Sequence, residues 1–273
     1  NPTDVVARNG MLAEMQKKNP PPYVPGMDAA GIVDQVGENV TTGVKVGDRV
    51  MAMVVPRAAH GAYREQIVLD QRAVVPAPAG SSHVEACTLP MNALTARMSL
   101  DLLDLKPGQV IAVTGGPGAY GGYVIQLAKA DGLKVIADGA DSDRVLLQSL
   151  GADIVVSRGD GFADKIREHF PQGVDGLADG ALLNALAVDA VKDGGSFTAI
   201  RGFKGKDQRD IKFTATWVTG YDGAYEKLDL LREQVEAGVL TLRVAGSVTP
   251  EDAGHAHQRL EQGGTRGRMV IEF

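Results

Sequence analysis

The densest chemical signal in the sequence is the run Val113-Thr114-Gly115-Gly116-Pro117-Gly118-Ala119-Tyr120-Gly121-Gly122. Gly116, Gly118 and Gly121 fit the spacing G-x-G-x-x-G. Glycines so placed let the backbone turn tightly and approach a pyrophosphate, while the next helix turns its N–H groups and positive dipole end toward the anion. In a glycine-rich chain the pattern alone is weak, and context strengthens it. A short apolar run at 110–114 precedes it, and a helical pattern with Val124, Leu127 and Ala128 on one face follows. A second strand pattern at 134–137 completes a βαβ unit of the expected size. Gly116, Pro117, Gly118, Ala119, Tyr120 and Gly121 are therefore candidate dinucleotide-binding residues.

The end of that second strand reads Ala137-Asp138-Gly139-Ala140-Asp141-Ser142-Asp143-Arg144. An acidic side chain here would hold the ribose diol of NAD, and a basic one would accept the 2′-phosphate of NADP. Asp138 argues for NAD; Arg144, with Arg158 after the third strand, argues for NADP. These residues by themselves leave both open.

Little else in the sequence has ligand spacing. His60, His83, His169, His255 and His257 are scattered, and the last two, two apart on an expected helix, point to different faces and are expected at the surface. One cysteine, Cys87, excludes an intramolecular disulfide and any multi-thiolate zinc site. It suits a reducing, cytoplasmic setting. Seven of the eight methionines precede residue 100 and read as core filling, or as an adaptable apolar pocket. Tyr63 flanks a cleft or simply packs.

The elements that must position these groups fall into two styles. Residues 1–87 are β-rich with irregular loops: strands are expected at 30–36, 49–55 and 66–69, and Met11 to Asn19 reads as a solvated excursion. From residue 88 strands alternate with helices. Helices are expected at 94–103, 121–130, 144–150, 161–170 and 182–191, with strands at 110–114, 134–137, 153–156, 173–178 and 196–200. That rhythm implies a doubly wound parallel sheet covered on both faces. Helices at 224–236 and 251–261 and short strands from 239 onward return the chain to the first lobe. The expected division is 1–87, 88–215 and 216–273.

Composition agrees. At 273 residues the chain is natural for two domains, and 44% hydrophobic with 23% charged residues excludes wholesale disorder. Glycine is the outlier, 34 of 273 residues, about 12% against a usual ~7%. A net charge of −6 leaves no basic surplus for nucleic acid. No apolar run approaches the ~20 residues of a membrane helix.

With these residues in view, the sequence resembles the zinc-independent medium-chain dehydrogenase/reductase family, specifically its quinone oxidoreductases and zeta-crystallin. The resemblance runs through Asn1-Pro2-Thr3-Asp4 to Arg8-Asn9-Gly10, Gly26-Met27-Asp28-Ala29-Ala30-Gly31, Gly47-Asp48-Arg49-Val50 and Leu89-Pro90-Met91-Asn92-Ala93-Leu94-Thr95-Ala96. It continues through the glycine loop, Leu150-Gly151-Ala152-Asp153, Gly173-Val174-Asp175, Gly194-Gly195 and the tail Gly267-Arg268-Met269-Val270. Family members carry a few dozen residues ahead of the Asn1 motif, so the first lobe is expected to be clipped.

The resemblance implies a Rossmann-type doubly wound sheet plus a GroES-like distorted β-barrel catalytic lobe. It implies NADPH as cofactor, since Gly139 stands where NAD-using relatives place their ribose-binding Asp, and Ser142, Arg144 and Arg158 stand near the 2′-phosphate positions. It implies no metal. Zinc-dependent relatives hold the ion at places matching Asn1, Met27 and Met91, and amides and thioethers are poor Zn²⁺ ligands. Thr95 is expected against the nicotinamide, and Asn1 and Asp4 as polar groups orienting a substrate carbonyl. The implied activity is hydride transfer to a quinone or enone, with the proton from solvent or through Asp4. Two departures stand out: Tyr120 replaces a small aliphatic residue, and Val6 stands where some members carry a tyrosine. Alternatives are an enoyl-thioester reductase of the same family and a non-catalytic, crystallin-like NADPH-binding protein. A homodimer is expected, with neither nucleic acid nor membrane as partner.

Overall fold

Short β-branched and aliphatic runs, cut by glycine and proline, decide where this chain forms strands. The computed structural model describes residues 1–159 and 161–273. They form two compact units, one made of Asn1–Leu94 and Thr219–Phe273, the other of Thr95–Val218.

The first unit begins with α1 (Pro2–Arg8), whose N-cap Asn1 accepts the Thr3 N–H through its side chain, with Pro2 in the first turn. The four-residue helix α2 (Ala13–Gln16) lies in the exposed excursion and buries nothing. Strands β1 (Asp28–Ile32), β2 (Arg49–Met53) and β3 (Val74–Pro76) pair antiparallel in the order β1-β2-β3. Residues 66–69, expected as a strand, form none. Val68 there is 90% exposed, so the segment has no apolar face to bury against a sheet. The short helix α3 (His83–Ala86) starts on a capping box between Ser82 and Glu85.

Helix α4 (Pro90–Leu103) leads into the second unit. There β4 (Val110–Thr114), α5 (Ala119–Ala130), β5 (Lys134–Gly139), α6 (Arg144–Ser149), β6 (Ile154–Ser157), α7 (Phe162–His169), β7 (Val174–Asp179), β8 (Val191–Ile200) and β9 (Lys212–Thr216) follow in turn. Among the described residues the strands make one parallel sheet of order β6-β5-β4-β7-β8-β9. The order reverses between β4 and β7. In open α/β sheets this switch point, outside the carboxyl ends of the strands, is where ligands bind. Ile111, Val113, Val135, Ile136, Ala137 and Leu177 are fully buried, as a sheet covered on both faces requires.

In the second unit two further elements differ from expectation. The segment before β8 is a 3₁₀ helix, Asn184–Ala190, and not an α-helix over 182–191. Leu182 and Asn184 have φ of 61° and 51°, and Asp179 takes the Leu183 and Asn184 N–H groups at 3.1 and 2.7 Å, so side chain and backbone together hold an irregular entry. The edge strand β9 was not expected because its residues lack a continuous apolar run. What holds it is Phe213, which packs on Phe197 and Phe203 with ring centroids 5.5 and 6.2 Å apart. Phe197 is fully buried, and truncating it to alanine would cost about 3–5 kcal/mol.

The chain re-enters the first unit with α8 (Tyr225–Glu236), which buries Leu228 and Leu231. Strand β10 (Val244–Val248), helix α9 (Ala253–Glu261) and strand β11 (Arg268–Ile271) complete it, with β10 and β11 parallel. Arg8 and Asn9 at the end of α1 both reach Glu261 of α9, at 2.5 and 3.3 Å.

Candidate functional site

Each unit holds one concentration of buried polar groups. In the second unit it surrounds the glycine loop between β4 and α5, on the switch point of the sheet. Gly115 has φ of +69°, a conformation that favours glycine. A Cβ on Gly121 would overlap the Gly115 carbonyl oxygen and stand 2.8 Å from its carbon. At Gly116 it would meet Leu147 Cδ2 at 2.8 Å. Gly116 and Gly121 are thus sterically required, whereas Gly118 is the milder case, with only the Gly115 oxygen at 3.2 Å from a Cβ, and it caps α5 without any side-chain hydrogen bond. The first-turn N–H groups of α5 have no partner within the helix, which is the ordinary arrangement of an anion site.

Two carboxylates flank the loop from the ends of the neighbouring strands. Asp138, last but one in β5, is only 3% exposed and accepts the Gly115 N–H at 2.7 Å and the Gly116 N–H at 3.3 Å. Burial pushes its pKa up against the pull of those two N–H groups. Its side chain is committed to the loop backbone. Asp179, at the end of β7, is fully buried and accepts the Thr114 hydroxyl at 2.5 Å. The sequence reading did not single out Asp179; an acid closing a buried strand beside the switch point was the available signal.

At the C-terminal ends of β5 and β6 the basic residues converge. The Arg158 N–H donates to the Gly139 carbonyl at 3.0 Å, and Arg144 Nη1 lies 3.4 Å from the Val155 carbonyl. Lys165, not anticipated, donates to the Ser157 carbonyl at 3.2 Å and adds a third cation. Ser142 is exposed in the 3₁₀ turn Asp141–Asp143 beside them. Gly139 is buried; a Cβ there would stand 3.4 Å from Pro117 of the loop and 3.2 Å from Asp143 Cβ. Thr95 and Tyr120 are both buried, and Tyr120 turns its hydroxyl inward to Ser99 at 2.8 Å. Gly116 to Gly121, Gly139, Ser142, Arg144, Arg158 and Thr95 all belong to this unit.

Asn1 and Asp4 belong to the first unit, in a pocket lined also by Asp28, Tyr63, Cys87 and Arg268. Asp4 accepts the Gly26 N–H at 2.9 Å. Asp28 accepts the Met91 N–H at 2.6 Å and is ion-paired to Arg268 across the two ends of the sequence. Asn1 Nδ2 stands 3.8 Å from the Met91 sulfur, and Met27 is buried nearby in the same pocket lining. An amide and two thioethers do not suit Zn²⁺, and both carboxylates of the pocket are engaged, Asp4 by the Gly26 N–H and Asp28 by Arg268. Among the described residues no group of three His, Cys, Asp or Glu side chains is arranged to hold a metal. His257 corrects the surface expectation. It is buried, and its Nε2 lies 2.9 Å from the Tyr63 hydroxyl, whereas His255 stays exposed beside Asp252.

No helix among the described residues is long and apolar enough to cross a membrane.

Comparison with known proteins adds to this geometry. Residues 1–79 match the alcohol dehydrogenase GroES-like domain, and residues 150–271 match the zinc-binding dehydrogenase domain. The chain is 30% identical over 280 residues to 2-methylene-furan-3-one reductase of Solanum lycopersicum, covering 99% of this chain and 68% of that protein. It is 31% identical over 209 residues to an NADPH-dependent alkenal/one oxidoreductase of Arabidopsis thaliana, covering 74% of this chain and 52% of that protein. To the quinone oxidoreductase of Sus scrofa it is 29% identical over 289 residues, covering 99% and 85%. Among solved structures, an alcohol dehydrogenase superfamily protein of Novosphingobium aromaticivorans superposes with a TM-score of 0.88 at 26% identity, covering 100% of this chain and 88% of that one. A mycobacterial protein complexed with NADPH gives 0.85 at 26% identity, covering 99% and 88%.

Proposed function

The chain belongs to the medium-chain dehydrogenase/reductase family, and we propose that within it this protein is an NADPH-dependent oxidoreductase acting without a metal on a quinone or an α,β-unsaturated carbonyl. The observation that carries the reading is the glycine loop between β4 and α5, which packs too tightly for a Cβ at Gly116 or Gly121 and brings the start of α5 to the switch point of the sheet. Family membership makes it an oxidoreductase; cofactor and acceptor are the proposed part.

When bound, NADPH supplies a hydride to the electrophilic carbon of the acceptor. The backbone N–H groups of residues 119–121 and the α5 dipole would hold its pyrophosphate. Arg144 and Arg158 would take the 2′-phosphate, with Ser142 as a further hydrogen-bond donor. Asp138 is buried and its Oδ1 holds the Gly115 and Gly116 N–H groups, an arrangement that leaves the exposed rim to the basic residues and favours the phosphate-bearing cofactor. Thr95 would meet the nicotinamide end. Asn1 would orient the acceptor's carbonyl, and Asp4, held by Gly26, would relay a proton from solvent to the reduced oxygen or carbon. The donor set of Asn1, Met27 and Met91 matches an acceptor that is already electrophilic. Such a substrate needs no Lewis acid, whereas alcohol oxidation does. The relatives named for furanone, alkenal and quinone reduction support the same acceptor class.

Anaerobic oxidation of NADPH and NADH, side by side, with 1,4-benzoquinone and then a simple enone tests this. Selective NADPH oxidation is expected. Binding of NADPH without oxidation by either acceptor would overturn the quinone/enone assignment and turn attention to an enoyl thioester or to a non-catalytic role.

A further inference from the structure

Between residues 115 and 121 the sequence Gly-Gly-Pro-Gly-Ala-Tyr-Gly offers one polar side chain, that of Tyr120. A loop so rich in glycine has many conformations to lose, and whatever orders it in advance lowers the cost of binding a ligand. Asp138 holds one end of the loop through Gly115 and Gly116. The other end is held through Tyr120. Its ring lies against Gly180, where a Cβ would stand 2.6 Å from Tyr120 Cδ1, so the glycine at that position makes room for the ring. The Tyr120 hydroxyl reaches Ser99 Oγ at 2.8 Å.

The proton directions of this cluster follow from counting. Ser99 Oγ donates to the Thr95 carbonyl at 3.0 Å, one turn back on α4. A serine hydroxyl has one proton, so its remaining bonds must be accepted. Tyr120 at 2.8 Å and Thr216 at 2.9 Å therefore both donate to Ser99. Thr216, its proton used, accepts from Thr198 Oγ1 at 2.8 Å. Every hydroxyl is buried and satisfied, which makes the arrangement unique and costly to disturb. The Tyr120 phenol is thus a committed donor to Ser99, and burial raises its pKa further from any acid–base role.

We propose that Ser99 is a positioning residue that sets the glycine loop for nucleotide binding, acting through the hydroxyl of Tyr120 while it anchors the Thr95 turn of α4. This rests on the reading of the loop as a nucleotide site. Thr198 sits at the outer end of the chain of hydroxyls and contributes to stability alone.

The test is titration calorimetry of NADPH and NADH against wild type, Ser99→Ala, Tyr120→Phe, the double variant and Thr198→Val, with amide hydrogen exchange of residues 115–121 in the nucleotide-free protein. Ser99→Ala and Tyr120→Phe are each expected to weaken nucleotide binding about tenfold. The double variant should lose no more than the stronger single, and the loop amides should exchange faster in all three. Thr198→Val should lower Tm with unchanged Kd. If Ser99→Ala fails to fold, Tyr120→Phe, which keeps the ring, carries the test. A fall in Tm with unchanged Kd and unchanged loop exchange in Ser99→Ala or Tyr120→Phe would overturn the proposal. Wild type binding neither nucleotide would instead overturn the site reading on which it rests.

Discussion

A side chain at Gly139 would collide with Leu147: its Cβ would stand 2.6 Å from Leu147 Cδ1. The end of β5 is therefore closed to an acidic side chain by the packing of α6. Gly139→Asp is expected to lose about 1–3 kcal/mol in urea unfolding, without gaining affinity for NADH. A variant as stable as wild type that prefers NADH would show that Leu147 yields and that packing does not guard this position.

Charge at the same strand ends should set the nucleotide preference. Arg144→Gln and Arg158→Gln are each expected to raise the Kd of NADPH roughly tenfold, the scale of a hydrogen bond to a charged group. NADH binding should be untouched. Equal losses for both nucleotides would place the 2′-phosphate elsewhere.

The glycines of the loop should be graded by what a methyl meets. At Gly118 the nearest atom is the Gly115 oxygen at 3.2 Å, a contact the loop can relieve. At Gly121 the methyl overlaps that same oxygen, and both atoms belong to backbone. Gly118→Ala should weaken NADPH binding a few-fold and Gly121→Ala by roughly a hundredfold, consistent with overpacking of ~1–3 kcal/mol. Fluorescence titration would show whether that order holds.

His257 gives the stability a pH slope. Burial lowers its pKa below the ordinary 6.5, with Arg8 acting in the same direction and Asp4 and Glu261 opposing. A histidine depressed in the folded state binds fewer protons folded than unfolded. Its contribution is therefore complete above pH 6.5 and is lost as pH falls through that value toward the folded pKa. His83, lowered by burial and by Arg49, adds to the same slope. Urea midpoints between pH 7.5 and 5 should fall, and His257→Gln should flatten the fall; an unchanged slope would contradict the assignment.

Cys87 should be nearly inert. Burial, with Asp28 alongside, pushes its thiol up to about 12 from 9.0. The thiolate is the reactive form, so alkylation at pH 8 should run about a thousandfold slower in the folded protein than in urea. Mass spectrometry of iodoacetamide-treated samples would report it, and rapid native labelling would count against so raised a thiol pKa.

The local patterns of this sequence already determined the βαβ unit around the glycine loop, because a buried strand, glycines at fixed spacing and a helical apolar face are all set by residues within a few positions of one another. They also sufficed for the family, through ordered motifs along the chain. What they could not reveal is which polar groups meet. Asp138 and Arg144 are near neighbours in sequence, yet one turns inward to the loop amides and the other stays at the rim. Asp28 finds Arg268, Tyr63 finds His257, and Tyr120 and Thr216 share Ser99. Helical spacing put His257 at the surface, and only the burial of that helix face reversed it. Strand β9 likewise exists because Phe213 has Phe197 and Phe203 to pack on. Periodicity records which face an element can bury, while a hydrogen-bond or ring partner depends on where distant segments are brought by the whole packing, and that is decided only in three dimensions.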